Sequence, residues 1–226
     1  NNAIGISALH KNTTGCWNTA IGESVLVCNT TGGCNTGIGL YGLYYNTTGG
    51  CNIAIGDRPL FYALSGCHNF AAGGRALYNN WGGSCNTAIG LCALYSNTTG
   101  PSNVAFGQLA LTKNTTGSYN VAAGYYAAAC NTEGGDNVAL GHSALQGNTT
   151  GCHNHAIGLQ SLRCNTTGSC NNAIGYMALY CNTTGCHNTA IGCCSLFSNV
   201  SGAYNNAIGT QSLIRNIGGC YNTAMG

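Results

Sequence analysis

An asparagine recurs every 17 residues from Asn1 to Asn222, fourteen times, with no insertion or deletion. No other property of the chain restricts its fold as much. A fixed short period makes every segment adopt one local conformation and stack on its own copies. Thirteen blocks of 17 and five further residues, Asn222 to Gly226, account for all 226 positions. Residues 1–226 therefore read as a single continuous repeat array, a window of a longer fibre without atypical end repeats. The pattern N-x-A-I-G-x-x-A-L-x-x-N-T-T-G-x-x fits nearly every block, and its places are called positions 1 to 17.

Position 1 is Asn and position 5 is Gly in all fourteen blocks, and position 15 is Gly in all thirteen complete ones. Position 9 is Leu except at Ala128, and position 12 is Asn except at Ala63. Positions 6, 7, 10, 11, 16 and 17 vary in size and polarity, which predicts that they face outward. Seventeen residues are too few for a helical-hairpin repeat. They suit one coil of a parallel β-solenoid, so the expected fold is all-β, with one coil per 17 residues and about 13 coils. The two glycine positions supply corners that accept positive φ. Pieces such as Thr19-Ala20-Ile21 and Val25-Leu26-Val27 are long enough for short strands. With two prolines in the chain, almost every residue can donate to a ladder. Coils about 4.8 Å apart would make a rod of roughly 60 Å.

Period-2 alternation assigns faces. With Ile of position 4 turned inward, position 2 is inward and the Ala of position 3 is outward; with Leu of position 9 inward, the small residues of position 8 are outward. The expected stacks are Ile21, Ile38, Ile55 and Ile89 in one column and Leu26, Leu43, Leu60 and Leu94 in another. The opposite phase packs the Ala column inside and turns Ile to a partner. Either phase leaves an apolar column over, so side-by-side self-association is expected, as a trimer and then an end-to-end filament.

Composition removes several function classes. Charged residues make up 4% of the chain, with six Lys and Arg against four Asp and Glu. Such a chain has no basic stripe for nucleic acid and no polybasic patch for an anionic membrane. Its longest nearly apolar stretch, Val121 to Cys130, is interrupted by Gly124, so no membrane insertion is expected. The opening residues carry no secretory leader pattern.

The string NTTG creates N-x-[ST] acceptors at Asn12, Asn29, Asn46, Asn97, Asn114, Asn148, Asn165 and Asn182, and Asn-Val-Ser adds Asn199. These nine are glycosylation candidates that would set covalent glycans along one edge. The same Asn can instead close a turn or stack in a ladder. Asn80, Asn131 and Asn216 keep the Asn where the hydroxyl is lost, so the residue has a duty apart from any sugar.

Sixteen cysteines point to an oxidising, extracellular or cell-surface setting. Disulfide candidates are Cys28 with Cys34, Cys164 with Cys170, and Cys181 with Cys186 across the NTTG corner. Neighbours in adjacent coils, such as Cys51 with Cys67 or Cys170 with Cys186, are the alternative. Cys67-His68, Cys152-His153 with His155, and Cys186-His187 lie in separated coils, so no metal site is expected. Gly37-x-Gly39-x-x-Gly42 spells a dinucleotide fingerprint but has no βαβ unit around it, and no cofactor is expected. Glu23, Asp57, Glu133 and Asp136 are scattered, with no Ser-His-acid set, so no enzyme activity is expected.

Asn18-Thr-Ala-Ile-Gly22 and Asn188-Thr-Ala-Ile-Gly192 resemble repeats in the heads of trimeric autotransporter adhesins. The whole array is similar to NTAIG/NTTG repeats of bacterial and phage tail-fibre-like surface proteins. The resemblance implies a left-handed parallel β-roll, commonly trimeric, projecting from a surface and binding by its side or tip. The expected function is a non-enzymatic extracellular structural fibre or surface-adhesin rod. Two alternatives are an ice-binding solenoid, from its Thr rows, and a carbohydrate-binding tail-fibre segment. The second rests on the position-10 aromatics Tyr44, Phe61, Tyr78, Tyr95, Tyr180 and Phe197.

Overall fold

A computed structural model describes residues 1–226. It holds fourteen β-strands, one in each repeat, and no helix. The chain divides into two compact units, Asn1–Thr116 and Gly117–Gly226. The first contains β1 (Asn2–Ile4), β2 (Thr19–Ile21), β3 (Thr36–Leu40), β4 (Ile53–Asp57), β5 (Phe70–Ala72), β6 (Thr87–Ile89) and β7 (Val104–Phe106). The second contains β8 (Val121–Ala123), β9 (Val138–Leu140), β10 (His155–Ile157), β11 (Asn172–Ile174), β12 (Thr189–Ile191), β13 (Asn206–Ile208) and β14 (Thr223–Met225). Within each unit the strands pair in parallel and in chain order, with partners 17 residues apart: Ile21 lies beside Ile38, Ile38 beside Ile55, and Ala156 beside Ala173. This is the expected parallel β-solenoid with a 17-residue coil. Ile89 lies in the same column, flanked by Ala72 and Phe106.

The faces are the reverse of the primary expectation. Ala20, Ala54, Ala88 and Ala173 of position 3 are fully buried, whereas Ile38, Ile55, Ile174 and Ile208 of position 4 are 38–40% exposed. Position 2 is outward as well, as Ile53, Val104 and Val121 show. Position 8 is inward, with Ala76, Ala93 and Ala144 buried. The reason is the width of the coil. Across its interior, position 8 of one coil meets position 3 of the next: Ser195 Oγ donates to the Ala207 carbonyl at 3.0 Å. Position 3 holds nothing larger than a methyl group, and position 8 exceeds it where a neighbour is small, as Pro59 does over Gly42. The one position-3 glycine confirms the limit, because a Cβ on Gly37 would collide with Cγ1 of Val25, the only valine at position 8.

Leu26, Leu43, Leu60 and Leu94 are fully buried as expected, but not on a strand. Positions 7 and 9 take left-handed backbone, as at Ser24 (φ 54°) and Leu26 (φ 53°). Two such residues interrupt the pleat, so Val25-Leu26-Val27 forms a turn where a second strand was expected. A left-handed L-residue costs about 1–2 kcal/mol. Coil-to-coil bonds hold it there: the Leu26 N–H donates to the Gly42 carbonyl and the Cys28 N–H to Tyr44, both at 3.0 Å.

The two glycine positions serve different ends. At position 5 the backbone lies at positive φ, 127° in Gly22, where side chains are rarely tolerated. Position 15 needs no positive φ. There a Cβ on Gly32 would strike the Gly49 carbonyl and come within 2.6 Å of Asn29 Oδ1. Glycine is required by close approach.

Two asparagine ladders complete the interior. At position 1, Asn18 Oδ1 accepts the Asn35 N–H at 2.9 Å while its Nδ2 donates to the Gly32 carbonyl at 2.8 Å. At position 12, Asn29 Nδ2 donates both to Asn12 Oδ1 (2.7 Å) and to the same Gly32 carbonyl (2.9 Å). The position-15 carbonyl thus receives both ladders. Buried amides paired this completely add strength and fix register, since no other stagger satisfies them.

Candidate functional site

Turning Ala and Asn inward leaves the functional surface to the free positions. In each unit the outer face of the sheet carries an apolar stripe. Ile4, Ile38, Ile55 and Phe106 mark it in the first unit, and Ile157, Ile174, Ile191 and Ile208 mark it in the second. Position 6 widens it with Leu91, Leu159 and Tyr176. Parallel sheets are normally covered on both faces. Here one face is lined by the thin Ala interior and the other lies open.

Position 10 forms an aromatic column in the first unit. Tyr44, Phe61, Tyr78 and Tyr95 stack with ring centroids 5.3, 5.1 and 5.1 Å apart. Tyr45 stacks on Tyr62 at 5.1 Å beside it. Desolvation and the neighbouring tyrosines push the Tyr78 hydroxyl above its ordinary range, although Arg58 and Arg75 pull it back. In the second unit Tyr180 and Phe197 stack at 5.2 Å. The stack spacing follows from the coil spacing, so the rings mostly cover one another's faces.

At the upper end of the first column the pattern changes. Tyr41, Tyr44, Tyr45, Arg58 and Phe61 line a cavity of about 250 Å³. The Arg58 guanidinium carbon lies 5.5 Å from the Tyr41 ring centroid, and Arg58 Nε is 3.9 Å from Asp57 Oδ1. Tyr41, Tyr45 and Arg58 were not among the residues singled out from the sequence. The available signal was two consecutive repeats filling positions 7, 10 and 11 with large side chains.

The sequon asparagines are the position-12 ladder. Asn29, Asn46, Asn97, Asn114, Asn148, Asn165, Asn182 and Asn199 are fully buried, and Asn12 is partly so. Nδ2 of Asn182 donates to Asn165 Oδ1 at 2.8 Å and to the Gly185 carbonyl at 2.9 Å, which occupies both of its hydrogens. A glycan on this nitrogen requires the ladder to be given up. The threonines that follow divide their roles. Thr30 Oγ1 donates across to the Thr47 carbonyl at 3.0 Å, and Thr166 Oγ1 to Thr183 at 3.0 Å, so position 13 is spent on the coil stack. Position 14, as in Thr31 and Thr48, is a single exposed row.

The sixteen cysteines all lie at exposed or half-buried positions. The register sets Cys34 beside Cys51 at position 17 and Cys164 beside Cys181 at position 11. Desolvation, then Cys34 and Cys67, push the Cys51 thiol up; desolvation, then Cys164, raise that of Cys181. Cys28, Cys67, Cys170 and Cys186 are half-buried on the flanks of the same corners. Cys193 and Cys194 are vicinal, with sulfurs 3.7 Å apart. No three His, Cys, Asp or Glu side chains converge as a metal-binding group. Gly37, Gly39 and Gly42 run through β3 into a turn, with no helix N-terminus after them. No helix is long and apolar enough to cross a membrane.

No family model, curated protein or solved structure matches this chain. Its functional reading therefore rests on the surfaces described above.

Proposed function

We propose that this chain is the repetitive segment of a non-enzymatic extracellular fibre or surface adhesin, and that it associates side by side through its sheet face. The exposed Ile column carries the reading. Its residues are apolar in nearly every repeat although solvent would accept polar ones, as it does at positions 7 and 11. An open apolar stripe marks a protein interface. The occupant is a second copy of this chain, because only a partner with the same 17-residue coil presents side chains at a matching spacing along the whole stripe. A homotrimer, extended end to end, suits a fibre. Sixteen cysteines favour an oxidising exterior, where pairs such as Cys34 and Cys51 would link one coil to the next.

The test is the native mass of the chain by analytical ultracentrifugation, with wild type compared with an Ile38→Asp/Ile55→Asp/Ile174→Asp variant. Wild type is expected as an oligomer and the variant as a monomer with an unchanged circular dichroism spectrum, because these side chains hold no part of the coil interior. A wild-type monomer at micromolar concentration overturns the reading. The threonine geometry gives no independent support to ice binding, since one of the two Thr rows is already committed to backbone carbonyls.

A further inference from the structure

We propose that the notch formed by Tyr41, Tyr44, Tyr45, Arg58 and Phe61 is a binding site for a neutral saccharide, taking one pyranose ring. The inference goes beyond the structural role and is independent of it. Three observations carry it: exposed ring surface, available polar groups and size.

Ring surface comes first. Within the column Phe61 and Tyr78 have rings on both faces, as Tyr78 covers Phe61 at 5.1 Å and 4°. Above Tyr44 the preceding coil offers Val27, which is buried, in place of a ring. The aromatic stack therefore ends at Tyr44, and Tyr45 of the same coil is 38% exposed. Tyr41 stands across from it, with centroids 5.9 Å apart and planes at 59°, and meets Phe61 at 6.4 Å and 77°. The rings make a V-shaped recess. The axial C–H groups of a pyranose lie on such aromatic carbon, which buries apolar surface without requiring a flat ligand.

The polar rim completes the fit. Arg58 has only a loose contact with Asp57, 3.9 Å at Nε. The chain's other ring-bound arginine provides the contrast: Arg163 Nε donates to Gln146 Oε1 at 3.0 Å and Nη1 to the Tyr180 hydroxyl at 2.7 Å. Arg58 thus keeps its fork of donors for a ligand, with an acceptor carboxylate next to it and tyrosine hydroxyls that do both. Donors and acceptors present together suit sugar hydroxyls, each of which donates and accepts. Asp57 beside Arg58 offsets its charge, while Arg75 in the next coil adds a second cation, so discrimination against anionic saccharides rests on the Asp57 carboxylate. At about 250 Å³ the recess is smaller than a drug-sized site and suits a single sugar ring.

The experiment is a glycan array probed with the intact chain, containing neutral hexose, N-acetylhexosamine and acidic termini, with hits quantified by saturation-transfer NMR. Wild type is expected to retain neutral termini. Tyr41→Ala and Arg58→Ala should each weaken binding by about tenfold or more, while Tyr180→Ala in the second unit leaves it unchanged. Circular dichroism checks each fold, and Tyr41→Phe with Arg58→Lys serves where an alanine variant does not fold. Failure of folded wild type to retain any neutral saccharide overturns the proposal. So does binding indifferent to the notch variants, or binding confined to acidic glycans and strengthened by Asp57→Asn.

Discussion

Single residues show how little slack the coil has. Gly37 breaks the Ala column at the one place where position 8 supplies Val25, whose Cγ1 occupies the volume of the missing methyl. The two departures compensate for each other. Gly37→Ala alone is expected to destabilise by about 1–3 kcal/mol through overpacking. Adding Val25→Ala should restore most of that loss, and denaturant melts of the four-member cycle give the coupling directly. Additive effects would mean that the two side chains do not share the space. Ala63 is a second departure without a partner change. It removes one rung from the position-12 ladder, and Asn46 Oδ1 is left buried with no hydrogen-bond partner. Asn97 Nδ2, where the ladder is intact, reaches Asn80 Oδ1 at 2.7 Å. Ala63→Asn should reconnect Asn46 to Asn80 and stabilise the chain by about 1–2 kcal/mol, read as a raised denaturation midpoint at unchanged slope. A lowered midpoint would show that the gap has relaxed around alanine. Both departures were visible as exceptions in the sequence, but only the structure shows which one is compensated.

At the scale of the strand and its turn, the repeat specified more than the alternation did. A 17-residue register with invariant Asn and Gly is enough to read a stacked β-coil, because nothing longer fits between successive copies. Alternation fixes that positions 2 and 4 share a face. It does not fix which face is inside, and hydrophobicity favours the wrong one. Ile loses more by exposure than Ala does, yet the interior distance set by position 8 admits only Ala. Coil width is a tertiary quantity, absent from any single block. The Leu of position 9 was placed correctly for an incomplete reason: it lies inside, on a left-handed turn residue instead of a strand. Glycine at position 15 was read as a conformational need and is in fact a packing need, because Asn side chains from two coils converge on it. The notch was legible only as two consecutive repeats with large side chains at positions 7, 10 and 11. Tyr41, Tyr45 and Arg58 occupy free positions, where a change in one coil is ordinary and only the pairing of two coils makes a recess.

At the scale of the whole molecule, cohesion comes from backbone ladders, buried amides and small apolar contacts, almost without charge. Ten ionisable Lys, Arg, Asp and Glu side chains serve 226 residues, and the ion pair Asp57–Arg58 is long and open to solvent. Exposed pairs of this kind contribute little and are screened by salt. The Asn ladders are neutral and, away from the end coils, buried, so mobile ions do not reach them. Thermal stability should therefore barely respond to ionic strength: between 0.05 and 0.5 M NaCl the midpoint is expected to move by less than about 2 °C, roughly half a kcal/mol for a chain of this size. Differential scanning calorimetry at the two salt concentrations measures it, with protein concentration held fixed because the proposed lateral association would raise apparent stability by mass action. A fall of more than about 5 °C on adding salt would mean that charge interactions hold the coils together. The stack of uncharged amides would then be a consequence of the fold instead of its main tie. A flat response is what the proposed fibre would need to keep one shape in surroundings whose ionic strength it does not control.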